Sequence, residues 1–309
     1  MAWLILAIAS YVLFGITAVI DKFLLTGTLL SPKIYAFITG ILGALVIPAI
    51  FFVDVSRLTI FQIAAALIAG IILTPALLVF YESLKRYETS RVMPIYGGLM
   101  PIFILLIVLA FFGDKGSLSS KEILALVLLI IGSVSIAYKK AKFSLSIFIL
   151  PTVAAIMMAL AAVLTKVSYE GQSFISALIF IRIGCLISAL VLLIDKEVRD
   201  TAKAFIGRVL KPAVTVKKSN WGTIIFFINQ ALVVIAGLMQ NIAVYFSKIK
   251  YVTIINAMAG IQYVCILVIT IFLSRFFPDI IREDITKKTL ITKTFSVTII
   301  IAGLALLAF

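Results

Sequence analysis

The sequence predicts an all-α membrane protein with ten transmembrane helices, arranged as two inverted repeats of five helices. Three observations carry this prediction. The 309-residue chain is 63% hydrophobic, whereas soluble domains are about 45–50% apolar. Its apolar residues fall into ten runs close to the ~20 residues that a helix needs to cross a bilayer. Two short segments of the first half each recur, with similar sequence, in the second half, which indicates an internal duplication.

The ten apolar runs are joined mostly by short turns. They lie at about 2–21, 33–53, 60–82, 92–112, 121–138, 145–165, 174–194, 222–245, 252–273 and 290–309. The first run lacks a basic leading segment and a convincing cleavage site, so we interpret it as a retained span. The basic connection 195–220 carries apolar residues at helical spacing, which fits a short amphipathic surface helix or a solvated loop equally well.

The duplication is visible where residues 81–101 align without a gap to residues 245–265. The identical pairs are Tyr81 and Tyr245, Ser83 and Ser247, Tyr87 and Tyr251, and Thr89 and Thr253. A second echo, ITAVIDKF around Lys22, recurs as LAAVLTKV around Lys166. We therefore predict a first repeat at 1–142 and a second at 143–309, which includes the basic loop 195–220. An odd number of spans in each repeat inverts the second copy.

The charge distribution indicates both partner and orientation. A net charge of +14 suggests nucleic acid in a soluble protein, but here the basic residues lie between apolar runs. They fit contact with anionic lipids of the bilayer, and we expect no nucleic-acid partner. Twenty of the 27 Lys and Arg residues lie in odd-numbered connections and six in even-numbered ones. The positive-inside rule then places the odd connections in the cytoplasm and both termini outside.

Arg182 is the one basic residue near the middle of a predicted span. Placing arginine there costs about 2.5–3.5 kcal/mol on insertion scales, so such a residue usually faces a cavity or a partner. It fits a role in substrate contact or gating, or a structural pair with a backbone carbonyl or with a helix-end acid such as Asp21. No carboxylate lies at mid-span. A buried arginine without a buried acid favours an anionic or zwitterionic substrate.

Neutral polar residues recur on one face of the eighth and ninth runs. Amides on a shared face either line a cavity or hold helices together. With tyrosines as amphipathic walls, the predicted substrate-binding residues besides Arg182 are Gln230, Asn241, Tyr245, Asn256, Gln262, Tyr263, Tyr81 and Tyr96.

Proline and glycine cluster in the fourth run, in the segment MPIYGGLMP. Proline removes a backbone donor and glycine admits close approach, and interrupted spans mark sites in transporters. The predicted helix-bending residues are Pro94, Gly97, Gly98 and Pro101, with Gly260 in the second half.

The sequence offers little for catalysis. It has no histidine, and its two cysteines, Cys185 and Cys265, lie inside apolar runs as small hydrophobic residues. It has no nucleophile elbow, zinc-protease motif or phosphate loop. We therefore expect no enzyme activity, no metal and no cofactor.

Several segments resemble the EamA branch of the drug/metabolite transporter superfamily. They are the fourth run from Thr89 to Pro101, the ending Phe112-Gly113-Asp114-Lys115, the fifth run closing on Gly132, Thr253, the closing Ala302-Gly303, and Arg182 in the second helix of the second repeat, where the family has a basic residue early in that helix. The chain departs from the family in Asp114, where a glutamate is usual, and in Cys265, where a proline is usual. The resemblance implies ten helices around a central cavity and transport by alternating access.

From these features we expect a multi-pass transporter of the cell inner (plasma) membrane, acting as a monomer or homodimer. Its substrate would be a small polar, anionic or zwitterionic metabolite such as an amino acid, and we expect the transporter to act as an exporter. Two alternatives stay open at this point. One is a translocase for an anionic lipid-linked headgroup, which needs a lateral opening to lipid, and the other is a non-transporting membrane scaffold.

Overall fold

The computed structural model describes residues 2–25, 31–53, 59–87, 89–137, 146–210, 221–276 and 287–308. All regular elements in these ranges are helical. The α-helices are α1 (Ala2–Leu25), α2 (Pro32–Gly43), α3 (Ile60–Arg86), α4 (Thr89–Phe112), α5 (Ser120–Ala137), α6 (Ser146–Tyr169), α7 (Phe174–Val191), α8 (Lys196–Leu210), α9 (Trp221–Phe246), α10 (Tyr251–Ala257), α11 (Ala259–Phe276) and α12 (Lys287–Ala308). Short 3-10 segments at Ala44–Phe52, Gly113–Gly116 and Leu192–Ile194 extend α2, α4 and α7.

Eight helical stretches in the described part of the chain are long and apolar enough to cross a membrane. They are α1, α3, α6 and α9, the extended helices α2, α4 and α7, and the stretch Tyr251–Ile269 formed by α10 and α11. The prediction of an all-α, multi-pass membrane protein is thereby confirmed. α5 and α12 occupy the places of the fifth and tenth predicted runs and pack against each other.

The basic connection 195–220 contains a helix over its first part. α8 follows the short turn at Asp195, and Val198 on α8 is fully buried. The amphipathic alternative is therefore the right one for residues 196–210, while residues 211–220 lie outside the described ranges. Lys33 on α2 donates to Asp195 at 2.5 Å, and this hydrogen bond lowers the pKa of the Asp195 carboxyl.

Glycines allow α3 and α7 to cross in backbone contact. A Cβ atom built on Gly70 would lie 2.0 Å from the backbone oxygen of Ile181, and one on Gly184 would lie 2.2 Å from that of Leu67. Small residues at helix crossings are the main way in which membrane helices approach closely. Both α6 and α7 pack against α3, and this crossing fixes α7 on that helix.

The ninth predicted run is interrupted. α10 ends at Ala257, and the N–H of Met258 donates back to the carbonyls of Ile254 and Ile255 before α11 begins at Ala259. Met258 aligns with Pro94 of the first half, yet α4 is a continuous helix through Pro94. The break therefore lies in the half without the proline.

The even-numbered connections meet at one end of the molecule. Trp3 stacks on Tyr251 with ring centroids 4.9 Å apart, and the Lys250 ammonium donates to Glu122 at 2.8 Å. The Lys33–Asp195 ion pair joins two odd-numbered connections at the other end. Even-numbered and odd-numbered connections therefore lie at opposite ends of the molecule, as the charge-based orientation requires.

Candidate functional site

A cavity of about 990 Å³ lies at the end where the even-numbered connections meet. It is formed by the end of the 3-10 segment after α2, the last turn of α6, the turn into α7, the start of α7 and the end of α9. Its lining residues are Phe52, Val53, Lys166, Tyr169, Glu170, Gly171, Gln172, Ser173, Ser176, Tyr245 and Phe246. The volume lies at the upper end of the ~300–1,000 Å³ typical of small-molecule pockets.

Lys166 supplies a buried positive charge to the cavity. Its side chain lies on the last turn of α6, and the residue is only 5% exposed. The Nζ atom donates to the backbone oxygen of Tyr245 at 3.1 Å. No carboxylate in the described ranges lies within ion-pair distance of it. Since an ammonium has three donors and the described residues accept one hydrogen bond from it, Lys166 retains the capacity to bind an anion.

Aromatic side chains build one wall of the cavity. Tyr169 and Tyr245 meet edge to face with centroids 5.7 Å apart, and Phe174 packs against both. The Tyr169 hydroxyl donates to Asn241 at 3.0 Å, and the amide of Asn241 donates to its own helix at the Gly237 carbonyl. These bonds fix the ring of Tyr169 at the edge of the cavity.

The N-terminus of α7 opens onto the same space. The Ser173 hydroxyl caps the helix by accepting from the N–H of Ser176 at 3.2 Å, and both hydroxyls lie in the lining, 2.6 Å apart. A helix N-terminus favours negative charge by roughly 0.3–1 kcal/mol. We call Lys166 and this terminus, with Ser173 and Ser176, the floor of the cavity. The floor is suited to a carboxylate or phosphate.

The turn between α6 and α7 is held in a fixed conformation. Gly171 has a φ of +74°, which a residue with a Cβ atom adopts only with strain. Gln62 at the start of α3 donates to the backbone oxygen of Glu170, and the Tyr245 hydroxyl donates to that of Gln172 at 3.2 Å. Two separate helices therefore position this turn.

Gln172 and Glu170 add polar groups that face the cavity. Both side-chain amide atoms of Gln172 are buried, and neither has a hydrogen-bond partner among the described residues. Buried polar groups are nearly always hydrogen-bonded, so this amide has hydrogen-bonding capacity that the described residues leave unused. Glu170 is exposed and gives the lining a carboxylate that can meet the ammonium of a zwitterion.

Arg182 lies deeper in the molecule and does not line the cavity. A Cβ atom on Gly43 would be 3.1 Å from its Cδ and 3.2 Å from its Nη1, so the side chain packs against the junction after α2. The guanidinium also lies near Tyr169 and Cys185. Within the described ranges no carboxylate forms an ion pair with it. Six residues, or about 9 Å of helix, separate Arg182 from Ser176 at the cavity floor.

The predicted polar residues divide into those at the cavity and those elsewhere. Tyr245 lines the cavity, and Asn241 orients Tyr169 from behind. The Asn256 amide donates to its own helix at Val252, at 2.8 Å. Gln230 and Gln262 are half-buried on α9 and α11.

A second group of tyrosines lies in the middle of the bundle, on α1, α4 and α11. Tyr11 accepts a hydrogen bond from Gln240 at 2.9 Å and lies near Tyr96 and Tyr263. A Cβ atom built on Gly97 would lie 2.8 Å from the Tyr263 hydroxyl, so this hydroxyl packs against the glycine. Tyr96 and Tyr263, which the sequence analysis placed in a substrate site, are thus brought together, but with Tyr11 and away from Lys166.

The predicted helix-bending residues serve close packing in this conformation. Cβ atoms on Gly98 and Gly260 would lie 2.9 Å from Val134 and 2.4 Å from Ser133, both on α5. Pro101 is buried inside the continuous helix α4, and the side chain of Pro94 lies outside the described set.

Sequence reasoning missed most of the cavity floor. Lys166 was noticed only as part of an echo, and Gln172, Ser173 and Ser176 fell in or next to a short turn. The available signal was the combination of a lysine inside the last turn of a span with a serine cap at the next span.

Arg182→Ala is expected to reduce transport about tenfold, because the guanidinium packs against the junction after α2 and lies near Tyr169 but does not line the cavity. Arg182→Lys should retain much of the activity. Initial rates of solute uptake in proteoliposomes, at matched amounts of inserted protein, measure the effect. Rates equal to those of the unmodified chain would remove Arg182 from the transport pathway.

Comparisons with known proteins bear on the fold. No protein-family model matches the chain, and no curated protein matches it. Eighteen chains of solved structures match. One of them, described as a crystal structure of a protein, covers 99% of this chain and 95% of its own length, with a TM-score of 0.66 and 15% identity. At that identity the likeness shows the fold alone: the chain shares nearly its whole architecture with a protein of known structure.

Proposed function

We propose that the chain is a secondary-type transporter that moves small anionic or zwitterionic solutes, such as amino acids, by alternating access. The observation that carries the proposal is the cavity with Lys166 in its floor. A buried ammonium at the end of a membrane span is expensive and marks a substrate pathway by default. Lys166 and the start of α7 suit a carboxylate, and Glu170 suits an ammonium.

The element order supports the two-repeat architecture of ten spans. α1 and α6 are both 24 residues long, and α2 and α7 are both capped by a serine, Ser31 and Ser173, that accepts from the third residue on. Ser83 and Ser247 are both buried and donate to the carbonyl three residues back. Corresponding positions in the two halves thus make corresponding bonds.

The pairing of helices supports an inverted relation between the repeats. α3 packs against α6, and α9 packs against α1. These two contacts exchange when the halves are exchanged, as a two-fold axis in the membrane plane requires. We accordingly propose residues 1–142 and 143–309 as the repeats, and membership in the drug/metabolite transporter superfamily, which the sequence resembles.

The cavity opens at the end of the molecule where Tyr245 lies. By the distribution of Lys and Arg, this end faces away from the cytoplasm of a plasma membrane. We therefore propose that solute reaches the cavity from the outer side in this conformation.

Counterflow in proteoliposomes tests the proposal. Vesicles loaded with a mixture of amino acids and organic phosphates should accumulate labelled solute from outside, and empty vesicles or vesicles without protein should not. Equal accumulation with and without protein across the panel would contradict a transport function and favour a scaffold role.

A further inference from the structure

The border of the cavity is apolar and faces the bilayer. Phe52 and Phe246 line the cavity, yet they are 90% and 63% exposed. Each is the last residue of a membrane-spanning stretch. Nearby in the chain, Phe51, Ile60 and Phe61 are 86%, 87% and 72% exposed. In a membrane-spanning chain, such a group of exposed apolar side chains lies against lipid.

The same cavity also has charged and polar lining residues. These are Lys166, Glu170, Gln172, Ser173 and Ser176, which α6, α7 and the turn between them supply. Among the described residues, the cavity thus joins a site for an anion to an apolar border that faces lipid. A solute made only of polar groups gains nothing from contact with the apolar border. An amphiphile can contact both the charged site and the border.

Resting on the proposed transport function, we propose that the solute is a single-chain amphiphile whose carboxylate or phosphate head binds at Lys166. Its apolar tail passes Phe52 and Phe246 into the adjacent lipid leaflet. The head enters sideways from that leaflet, so the tail never crosses water. A cavity of about 990 Å³ accommodates the head and the first part of one chain.

The two side-chain types at the site make separate contributions. Lys166 and the α7 terminus act on the charge of the head and are indifferent to the length of the tail. The phenylalanine rings act on the tail, where each methylene removed from water strengthens binding by up to about fourfold. Head and tail are therefore separable by mutation.

The test is calorimetric binding of acetate, hexanoate, decanoate, hexyl phosphate and decyl phosphate to the full chain in nanodiscs, with binding to empty nanodiscs subtracted. We expect affinity to rise with chain length for either head, and the tighter series identifies the head. Phe52→Ser should flatten the rise. Phe51→Ser is the matched control, because Phe51 is equally exposed but does not line the cavity, and it should leave the rise unchanged.

Two outcomes overturn the proposal: an affinity independent of chain length, or a rise that Phe52→Ser and Phe51→Ser affect equally. Lys166→Gln separates this proposal from the transport function. If binding of the anions requires Lys166 but the affinity of the unmodified chain does not rise with chain length, the transport site stands and the amphiphile is wrong. If Lys166→Gln changes neither binding nor counterflow, the transport site fails as well.

Discussion

Lys166→Gln is expected to weaken binding of an anionic or zwitterionic solute by roughly 10- to 150-fold. The reason is that a hydrogen bond to a charged group contributes about 1.5–3 kcal/mol. Glutamine keeps a donor for the Tyr245 carbonyl but lacks the charge. Because the substitution also removes a buried ammonium, the folded protein should be at least as stable as the original chain. The concentration dependence of uptake in proteoliposomes measures the change in affinity.

Lys248→Gln is the matched control for this substitution. Lys248 is exposed at the same end of the molecule, two residues beyond Phe246, and does not line the cavity. It should transport like the unmodified chain. Identical uptake curves for Lys166→Gln and Lys248→Gln would show that the cavity is not the binding site.

Gly184→Ala is expected to destabilise the protein by on the order of 3 kcal/mol, the upper range for overpacked cores. The new methyl carbon would lie 2.2 Å from the Leu67 oxygen and 3.0 Å from the Cα atom of Gly70. These are backbone atoms, which cannot rotate away, so α3 and α7 must separate. A lowered midpoint of thermal unfolding in detergent, with less monodisperse protein recovered, measures the effect.

Gly237→Ala provides the comparison for that experiment. Apart from its chain neighbours and the backbone of its own helix, no atom lies within 4 Å of a Cβ built on Gly237, and alanine favours a helix over glycine by roughly 0.5–1 kcal/mol. This variant should be as stable as the original chain or slightly more so. Equal stability of the two alanine variants would mean that α3 and α7 are not in backbone contact.

The helices were predictable because bilayer thickness imposes a length on every apolar run. The run at 60–82 became α3, and the run at 92–112 became α4, each extended by a few residues. The break at Met258 was not predictable in this way. Hydropathy registers apolar length, and the residues around Met258 are as apolar as an unbroken helix needs. The break depends on how α10 and α11 pack against α1, α4 and α5.

The candidate site was predictable only in part. Tyr245 and Asn241 were found because they share one face of a helix. Lys166 was missed because a lysine near the end of a span usually extends its ammonium to the interface. Only tertiary packing decides whether it does so, and here Tyr169 and Tyr245 enclose it. Arg182 drew attention as the charge at mid-span, but the structure places it behind the cavity, against Gly43.

Cysteine accessibility at the cavity tests the central claim most directly. Gln172→Cys, in a chain with Cys185 and Cys265 replaced by alanine, is treated with a membrane-impermeant maleimide from either side of sealed vesicles. Lys203→Cys on the exposed face of α8 marks the opposite side. The account predicts labelling of the two positions from opposite sides, and slower labelling of position 172 when the solute mixture is present. Labelling of both positions from one side, or a rate at position 172 that no solute changes, would contradict it.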